Sequence, residues 1–239
     1  MNKIVVKNVS KAYKDVKALD NINLEILENK ITGLLGTNGA GKSTLIKILT
    51  GEIKPDNGTI SIFGIEIKNI DEIRKIVNVS PQESAIISNL TVYENLEFFE
   101  HLYGINDAML IDDIMMLFNL KKIKNKRSKT LSGGYKKRLS IAISLITRPR
   151  ILFLDEPTLG LDIIARRDLW HIITKISKST TIVLTSHYLE EIESLCEDVI
   201  ILSKGHVVSR GTINDIKKLS GCDSFEDAFV KIVGENDEI

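Results

Sequence analysis

The sequence predicts an α/β fold: a mostly parallel sheet, an antiparallel β layer ahead of it, and a helical subdomain inserted within it. Short apolar runs at residues 31–35, 151–154, 182–184 and 199–202 are bounded by glycine, proline, serine or charged residues, as strands buried on both faces are. Near the start, Ile4 and Val6, then Ile22, Leu24 and Ile26, alternate at period two, the pattern of half-buried antiparallel strands. Between residues 84 and 145 the strand signal disappears and helical spacing replaces it.

Taken in order, residues 1–10 carry Lys3 and Lys7 among alternating apolar positions and lack the apolar core and cleavage site of a secretory leader, so they read as a first strand. The run at 31–35 leads into a glycine-rich segment and then a helix bearing Leu45, Ile46, Ile48 and Leu49. In the insert, Leu96, Phe99, Leu102 and Tyr103 share helical spacing, as do Ile111, Ile114, Met115 and Phe118. Most of the aromatic group Phe98, Phe99 and Tyr103 is expected in the core. The basic run Lys121, Lys122, Lys124, Lys126, Arg127 and Lys129 has no interleaved aromatic side chain for stacking bases, so it reads as a solvated loop. A second glycine-rich turn then opens a helix over 135–146, apolar on nearly every face after Lys136, Lys137 and Arg138. Two further helices follow, one with Tyr188, Leu189, Ile192 and Leu195 on one face and one with Phe225, Ala228, Phe229 and Ile232. Residues 234–239 read as a frayed acidic tail.

This is one domain over residues 1–239. Its core spans 1–82 and 146–220, the helical subdomain 83–145, and a short C-terminal helix and tail 221–239. With 32 basic and 32 acidic residues the formal charge is zero, so no global field draws the chain to nucleic acid or anionic lipid. No stretch approaches the roughly 18 consecutive apolar residues of a spanning helix. The 2 cysteines, Cys196 and Cys222, have neither metal-ligand spacing nor a disulfide framework, which suits the cytoplasm.

The most specific signal is the run Gly36, Thr37, Asn38, Gly39, Ala40, Gly41, Lys42, Ser43 and Thr44, which fits G-x-x-x-x-G-K-[ST] and sits between a buried strand and a helix. Glycines let backbone amides turn inward around phosphate oxygens, and the helix N-terminus adds partial positive charge. Lys42 supplies a full charge to the β and γ phosphates, and Ser43 offers a hydroxyl to Mg²⁺. The expected ligand is Mg-ATP, and the fold is a phosphate-loop ATPase core.

The strand at 151–154 ends in Asp155, Glu156 and Pro157, which places two carboxylates at the mouth of the sheet where such folds bind ligands. Asp155 is expected to serve the metal, and Glu156 to orient and deprotonate the attacking water. Leu131, Ser132, Gly133 and Gly134 open another helix with an anion-ready N-terminus. One phosphate loop per chain leaves that second site without a ligand of its own. It is therefore expected to cap a nucleotide held by another copy in a two-fold dimer.

With these residues in place, the chain resembles the nucleotide-binding subunit of ATP-binding cassette (ABC) transporters over essentially its whole length. The phosphate loop, Gln82, the signature Leu131 to Gly134, Asp155 with Glu156, Gly160-Leu161-Asp162 and His187 occur in the family's order. The resemblance implies that two cassettes close head to tail, with each ATP between one phosphate loop and the other chain's Ser132, Gly133 and Gly134. It implies that Gln82 senses γ-phosphate, Mg²⁺ and water, that Asp162 communicates across the dimer, that Tyr13 stacks on adenine, and that His187 holds the γ-phosphate and the catalytic geometry. The catalytic set is then Glu156, His187, Gln82 and Lys42, and the metal set Ser43, Gln82 and Asp155. Tyr135 stands where Gln is usual, Thr37 where Pro is common and Ile163 where Pro is frequent, which bears on rate and dimer tightness.

The resemblance implies separate transmembrane permease subunits as partners, docked beside Gln82 on the surface between residues 83 and 103, and a place on the inner face of the cell membrane. The ending from Phe225 to Gly234 resembles ATPases of bacterial exporters, so export is favoured. The alternatives are a non-transport ABC ATPase acting on ribosomes or nucleic acid, which usually carries two cassettes or a coiled-coil insert, and a nucleotide kinase, which would explain neither the signature nor His187. No nucleic-acid partner is expected.

Overall fold

The structure is a computed structural model that describes residues 3–83 and 85–237. Two sheets carry it. The antiparallel layer has the order β2 (Val16–Leu27), β1 (Lys3–Tyr13), β4 (Asn57–Ile62), β5 (Ile65–Glu66). The larger sheet has the order β10 (His206–Gly211), β9 (Asp198–Ser203), β3 (Ile31–Gly36), β8 (Thr181–Thr185), β7 (Ile151–Asp155), β6 (Val77–Ser80), and only the β9–β10 edge hairpin is antiparallel.

Strict alternation divides the central strands between two cores. Leu34, Ile151, Phe153, Val183, Ile200 and Leu202 face the space between the sheets, where they pack on α1 (Lys42–Leu49) and on Ile4, Val6 and Ile60 of the antiparallel layer. Leu35, Leu152, Leu154, Ile182, Leu184, Val199 and Ile201 face the other way. There they meet α5 (Gly133–Ser144), α6 (Ile163–Ile176), α7 (Leu189–Leu195) and α9 (Phe225–Asp237) through Leu139, Ile173, Ile192 and Ile232. Burial on both faces is why these strands read as continuous apolar runs.

The remaining elements are α2 (Ile70–Ile76), α3 (Val92–Leu102), α4 (Leu110–Leu117) and α8 (Ile213–Ser220). Among described residues no named strand falls between 85 and 145, as the sequence predicts, and Ser84 lies outside them. The basic residues from Lys121 to Lys129 are exposed, anchored by buried Ile123 and Ser128.

Four expectations need correction. Strands β4, β5, β6 and β10 escape the sequence pattern because β5, β6 and β10 lie at sheet edges, with polar residues such as His206 and Arg210, and the first half of β4 is exposed from Asn57 to Thr59. Phe98 and Tyr103 are about half exposed and Leu102 more so, because α3 buries Val92, Asn95 and Leu96 and leaves only Phe99 partly packed. The helix expected over 135–146 is α5, Gly133–Ser144, and Lys137 and Arg138 are buried in it. Gly234 does not begin a frayed tail, since α9 runs to Asp237 with Ile232 and Val233 in the core beneath it; Glu238 and Ile239 lie outside the described residues.

Within the helical insert, α3 is tied to the segments around Ile87 and Ser128 by one buried amide. Asn95 is fully buried, and its Nδ2 donates to Ile87 O (3.1 Å), Thr91 O (2.9 Å) and Ser128 Oγ (2.9 Å), while its Oδ1 accepts from Ile87 N (2.8 Å). Both N–H groups, one of them shared between two acceptors, and the carbonyl oxygen of that side chain are engaged, and removing it leaves Ile87 N and the buried Ser128 hydroxyl without this partner, while Ile87 O keeps Leu90 N. Asn95→Ala is therefore expected to lower the unfolding free energy by about 2–3 kcal/mol in urea denaturation. A change below about 0.5 kcal/mol would show that water replaces the amide at no cost.

Candidate nucleotide site

Strands β3, β8 and β7 lie side by side and parallel, so their C-terminal ends open on one edge of the sheet. The chain leaves β3 into the glycine loop, β7 into Asp155 and Glu156, and β8 into Ser186 and His187. Three distant segments of sequence thus meet at one place.

The loop's shape depends on positions that reject a side chain. Gly36 has φ +152°, and a Cβ there would lie 2.3 Å from Leu202 O; Gly41 has φ +105°, and its Cβ would lie 2.5 Å from Ala18 O. Both combine a left-handed backbone with contact against fixed carbonyls, so glycine is required. Ala40 N donates to Thr37 O (3.1 Å), closing the turn, and Gly41 leads into α1. Lys42 Nζ donates to Gly36 O (2.7 Å) and Thr37 O (3.0 Å). Burial pushes the Lys42 ammonium below its ordinary pKa, with Glu156 and Asp155 pulling it back up.

Asn38, Gly39, Ala40, Gly41, Lys42, Ser43 and Thr44 line a cleft of about 380 Å³, faced by Tyr13, Gln82, Asp155, Glu156 and His187. Among the described residues two larger cavities exist elsewhere, lined by other groups. Gly36 and Thr37 lie behind the loop, where their carbonyls hold Lys42. Tyr13 ends β1 with its ring about half exposed and Lys11 Nζ 5.8 Å from its centroid.

The two carboxylates are fixed by a buried hydroxyl. Thr185 Oγ1 donates to Asp155 Oδ1 (2.7 Å) and accepts from Glu156 N (3.1 Å). Glu156 takes a left-handed backbone, φ +49°, which costs a non-glycine residue about 1–3 kcal/mol. It is 7% exposed, and its Oε1 lies 2.7 Å from His187 Nε2. A buried carboxylate, held in a strained turn and touching an exposed imidazole, sits at the mouth of the phosphate cleft.

Gln82 is exposed, and its backbone is tethered from below. Lys137 Nζ donates to Pro81 O (3.2 Å) and Gln82 O (3.1 Å), and burial pushes its pKa down. Thr185 and Lys137 were missed in the sequence; the only signals were a hydroxyl ending an apolar strand and a basic residue inside an apolar helix.

The remaining predicted residues do not reach this cleft. Ser132 precedes α5 as its N-cap without a side-chain hydrogen bond. Gly134 packs so near α6 that a Cβ would lie 3.1 Å from Ala165 Cβ, and Gly133 approaches Leu161. Asp162 caps α6, accepting from Ala165 N at 2.9 Å. Tyr135 is partly exposed, with the Arg138 guanidinium 5.3 Å from its ring centroid.

A glycine loop and an acidic strand end on one sheet edge, with a helical insert bearing a second glycine-rich helix start, define a phosphate-loop ATPase cassette. The ABC transporter family model matches residues 19–159, and the chain belongs to that family as an ATP-binding cassette. It is 39% identical over 228 residues to ABC transporter A family member 8 of Dictyostelium discoideum, a match covering 91% of this chain and 27% of that protein. It is 35% identical to daunorubicin resistance ATP-binding protein DrrA3 of Streptomyces coeruleorubidus, covering 93% of this chain and 72% of that one. Several further relatives are longer proteins, of which the chain spans between 9% and 42%. The fold superposes with a TM-score of 0.77 on a dimeric ATP-binding cassette in a post-hydrolysis state bound to ADP and phosphate, at 27% identity, covering 87% of this chain and 98% of that one.

Thr185→Val keeps the side-chain volume and removes the hydroxyl that ties Asp155 to Glu156. It is expected to lower kcat for ATP hydrolysis about tenfold, the value of one hydrogen bond to a charged group. Steady-state phosphate release measures it; a wild-type kcat would mean the strand end keeps its geometry unaided.

Proposed function

We propose that this cassette hydrolyses ATP within a pair of cassettes and couples closure of the pair to transport by separate membrane subunits, with export the favoured direction. The observation that carries this reading is the 2.7 Å contact of buried Glu156 with His187 across the mouth of the phosphate cleft. A carboxylate so placed suits a general base.

In this reading the backbone of residues 36–44 cradles the phosphates, Lys42 leaves its carbonyls for the β and γ oxygens, and Tyr13 stacks on adenine. Glu156 takes a proton from water as the water oxygen bonds to the γ-phosphorus. The bond from that phosphorus to the bridging oxygen breaks, leaving ADP and phosphate. His187 orients Glu156 and the γ-phosphate, and Gln82 contacts the attacking water.

The protein's metal donors are a hydroxyl of Ser43, an amide of Gln82 and a carboxylate of Asp155, hard oxygens that suit Mg²⁺. Among described residues no group of three or more acidic, histidine or cysteine side chains could hold a metal alone. Mg²⁺ there would offset charge on the β and γ oxygens.

Ser132, Gly133 and Gly134, which lie away from their own chain's cleft, would complete the site of a second copy, with Asp162 at the junction. The dimeric relative supports such pairing. The division into a core of 1–82 and 146–220, a helical subdomain of 83–145 and a C-terminal piece of 221–239 assigns catalysis to the first and coupling to the second.

Membrane subunits would dock on the insert. There, Leu90, Phe98 and Leu102 line a surface groove together with Glu94, Glu97 and His101. Its apolar and acidic character fits an amphipathic, basic helix. Among described residues no helix is long and apolar enough to cross a membrane. Such subunits would therefore place the cassette on the inner membrane face. The drug-resistance name of one relative favours export.

Glu156→Gln is expected to form an ATP-stabilised dimer on size exclusion with phosphate release reduced at least about a hundredfold, while Lys42→Ala loses nucleotide affinity. Wild-type turnover in Glu156→Gln would remove the assigned base.

A further inference from the structure

Behind the catalytic edge lies a second polar cluster that the site does not use. Glu191, in the first turn of α7, is fully buried. Its Oε1 accepts from Trp170 Nε1 of α6 at 2.9 Å. Its Oε2 has no hydrogen-bond partner, and neither has Thr158 Oγ1, a buried hydroxyl two residues after Glu156. Thr158 and Ser186 nonetheless lie near enough to bear on the Glu191 carboxyl, which burial pushes above its ordinary pKa against these contacts and Arg166. Small rotations of two hydroxyls would satisfy the carboxyl.

The same helix pair is joined again next door. The Arg166 guanidinium lies 4.1 Å from the Tyr188 ring centroid, with Nη1 3.8 Å from Glu190. Arg166 and Trp170 are one helical turn apart on α6, and Tyr188 and Glu191 flank the start of α7. His187 is therefore carried on a segment bound to α6 on one side and close to the segment after Glu156 on the other.

We propose that Glu191 is a positioning residue for hydrolysis: it joins the His187 segment to α6 and to the Thr158 segment, and so sets the approach of His187 to Glu156. An aliphatic core residue would fill this space. It would not hold the three segments in one arrangement, because only a carboxyl or amide can serve the indole donor and the hydroxyls together. The inference rests on the proposed roles of Glu156 and His187.

The protein supplies its own reporter, since Trp170 is its 1 tryptophan. Glu191→Leu, Glu191→Gln and Trp170→Phe are compared with wild type and with Glu156→Gln for kcat, KM for ATP and melting temperature, and the variants that keep Trp170 also for tryptophan emission. Glu191→Leu is expected to lose about tenfold or more in kcat with KM within about twofold, and to shift the emission; Glu191→Gln restores most of both. Trp170→Phe keeps a ring and drops the donor, and is expected to lose about threefold in kcat.

If Glu191→Leu does not fold, the Gln and Phe variants decide. A wild-type kcat in Trp170→Phe together with a Gln variant as impaired as an unfolded protein overturns the inference. So does a folded Glu191→Leu with wild-type kcat. If Glu156→Gln itself turns over normally, the reading of the catalytic site fails; if only the Glu191 and Trp170 variants do, that reading stands and Glu191 is merely structural.

Discussion

The register of three parallel strands governs this molecule. Thr185 of β8 is the partner of Leu34 on β3 and of Asp155 on β7. One residue thus sits at the level where the phosphate loop leaves the sheet and where the acidic turn begins. A slip of one residue in either pairing would turn every side chain to the opposite face and send the loop and carboxylates to different heights. The Thr185 hydroxyl then converts backbone register into side-chain position, with Asp155 held through its oxygen and Glu156 through its amide.

Register is enforced by burial on both sides of the sheet. Leu152 and Leu154 point to the helices, Ile151 and Phe153 to the antiparallel layer, and all are fully buried. Neither face tolerates the polar neighbours that a slip would bring. The helical insert belongs to the same arrangement, because Ile114, Met115 and Phe118 join one apolar cluster with Leu169, Ile173 and Val199. Lys137 extends that link to the rim of the phosphate cleft by holding the backbone at Pro81 and Gln82. A shift of the insert would therefore be felt at Gln82 through two hydrogen bonds and a rigid helix, not through loose chain.

Sequence reasoning reached the parts with a strong local signature. The central strands of the large sheet are continuous apolar runs, the phosphate loop is a fixed spacing of glycines before lysine, and the carboxylates end a strand. Much of the rest was hidden for physical reasons. Strands β4, β6 and β10 are short or half exposed, so no alternation stands out. Phe98 and Tyr103 look like core by composition, and only the direction of α3 shows that they face outward. Thr185, Lys137 and Glu191 matter through partners far away in the chain, and Asn95 partly through distant Ser128, which no local pattern encodes. Ser132 to Gly134 and Asp162 are legible as motifs, yet within a single chain Gly134 packs on α6, Asp162 caps it, and none of these residues lines the cleft.

The left-handed backbone at Glu156 carries an evolutionary consequence. Glycine and asparagine occupy that conformation at lower energy, so selection for stability alone would drift the position toward them. Glutamate endures there only while something rewards its carboxylate. In lineages where such a cassette has become a scaffold that binds nucleotide without spending it, this site is where relaxation should appear first, as a gain in stability accompanying the lost chemistry.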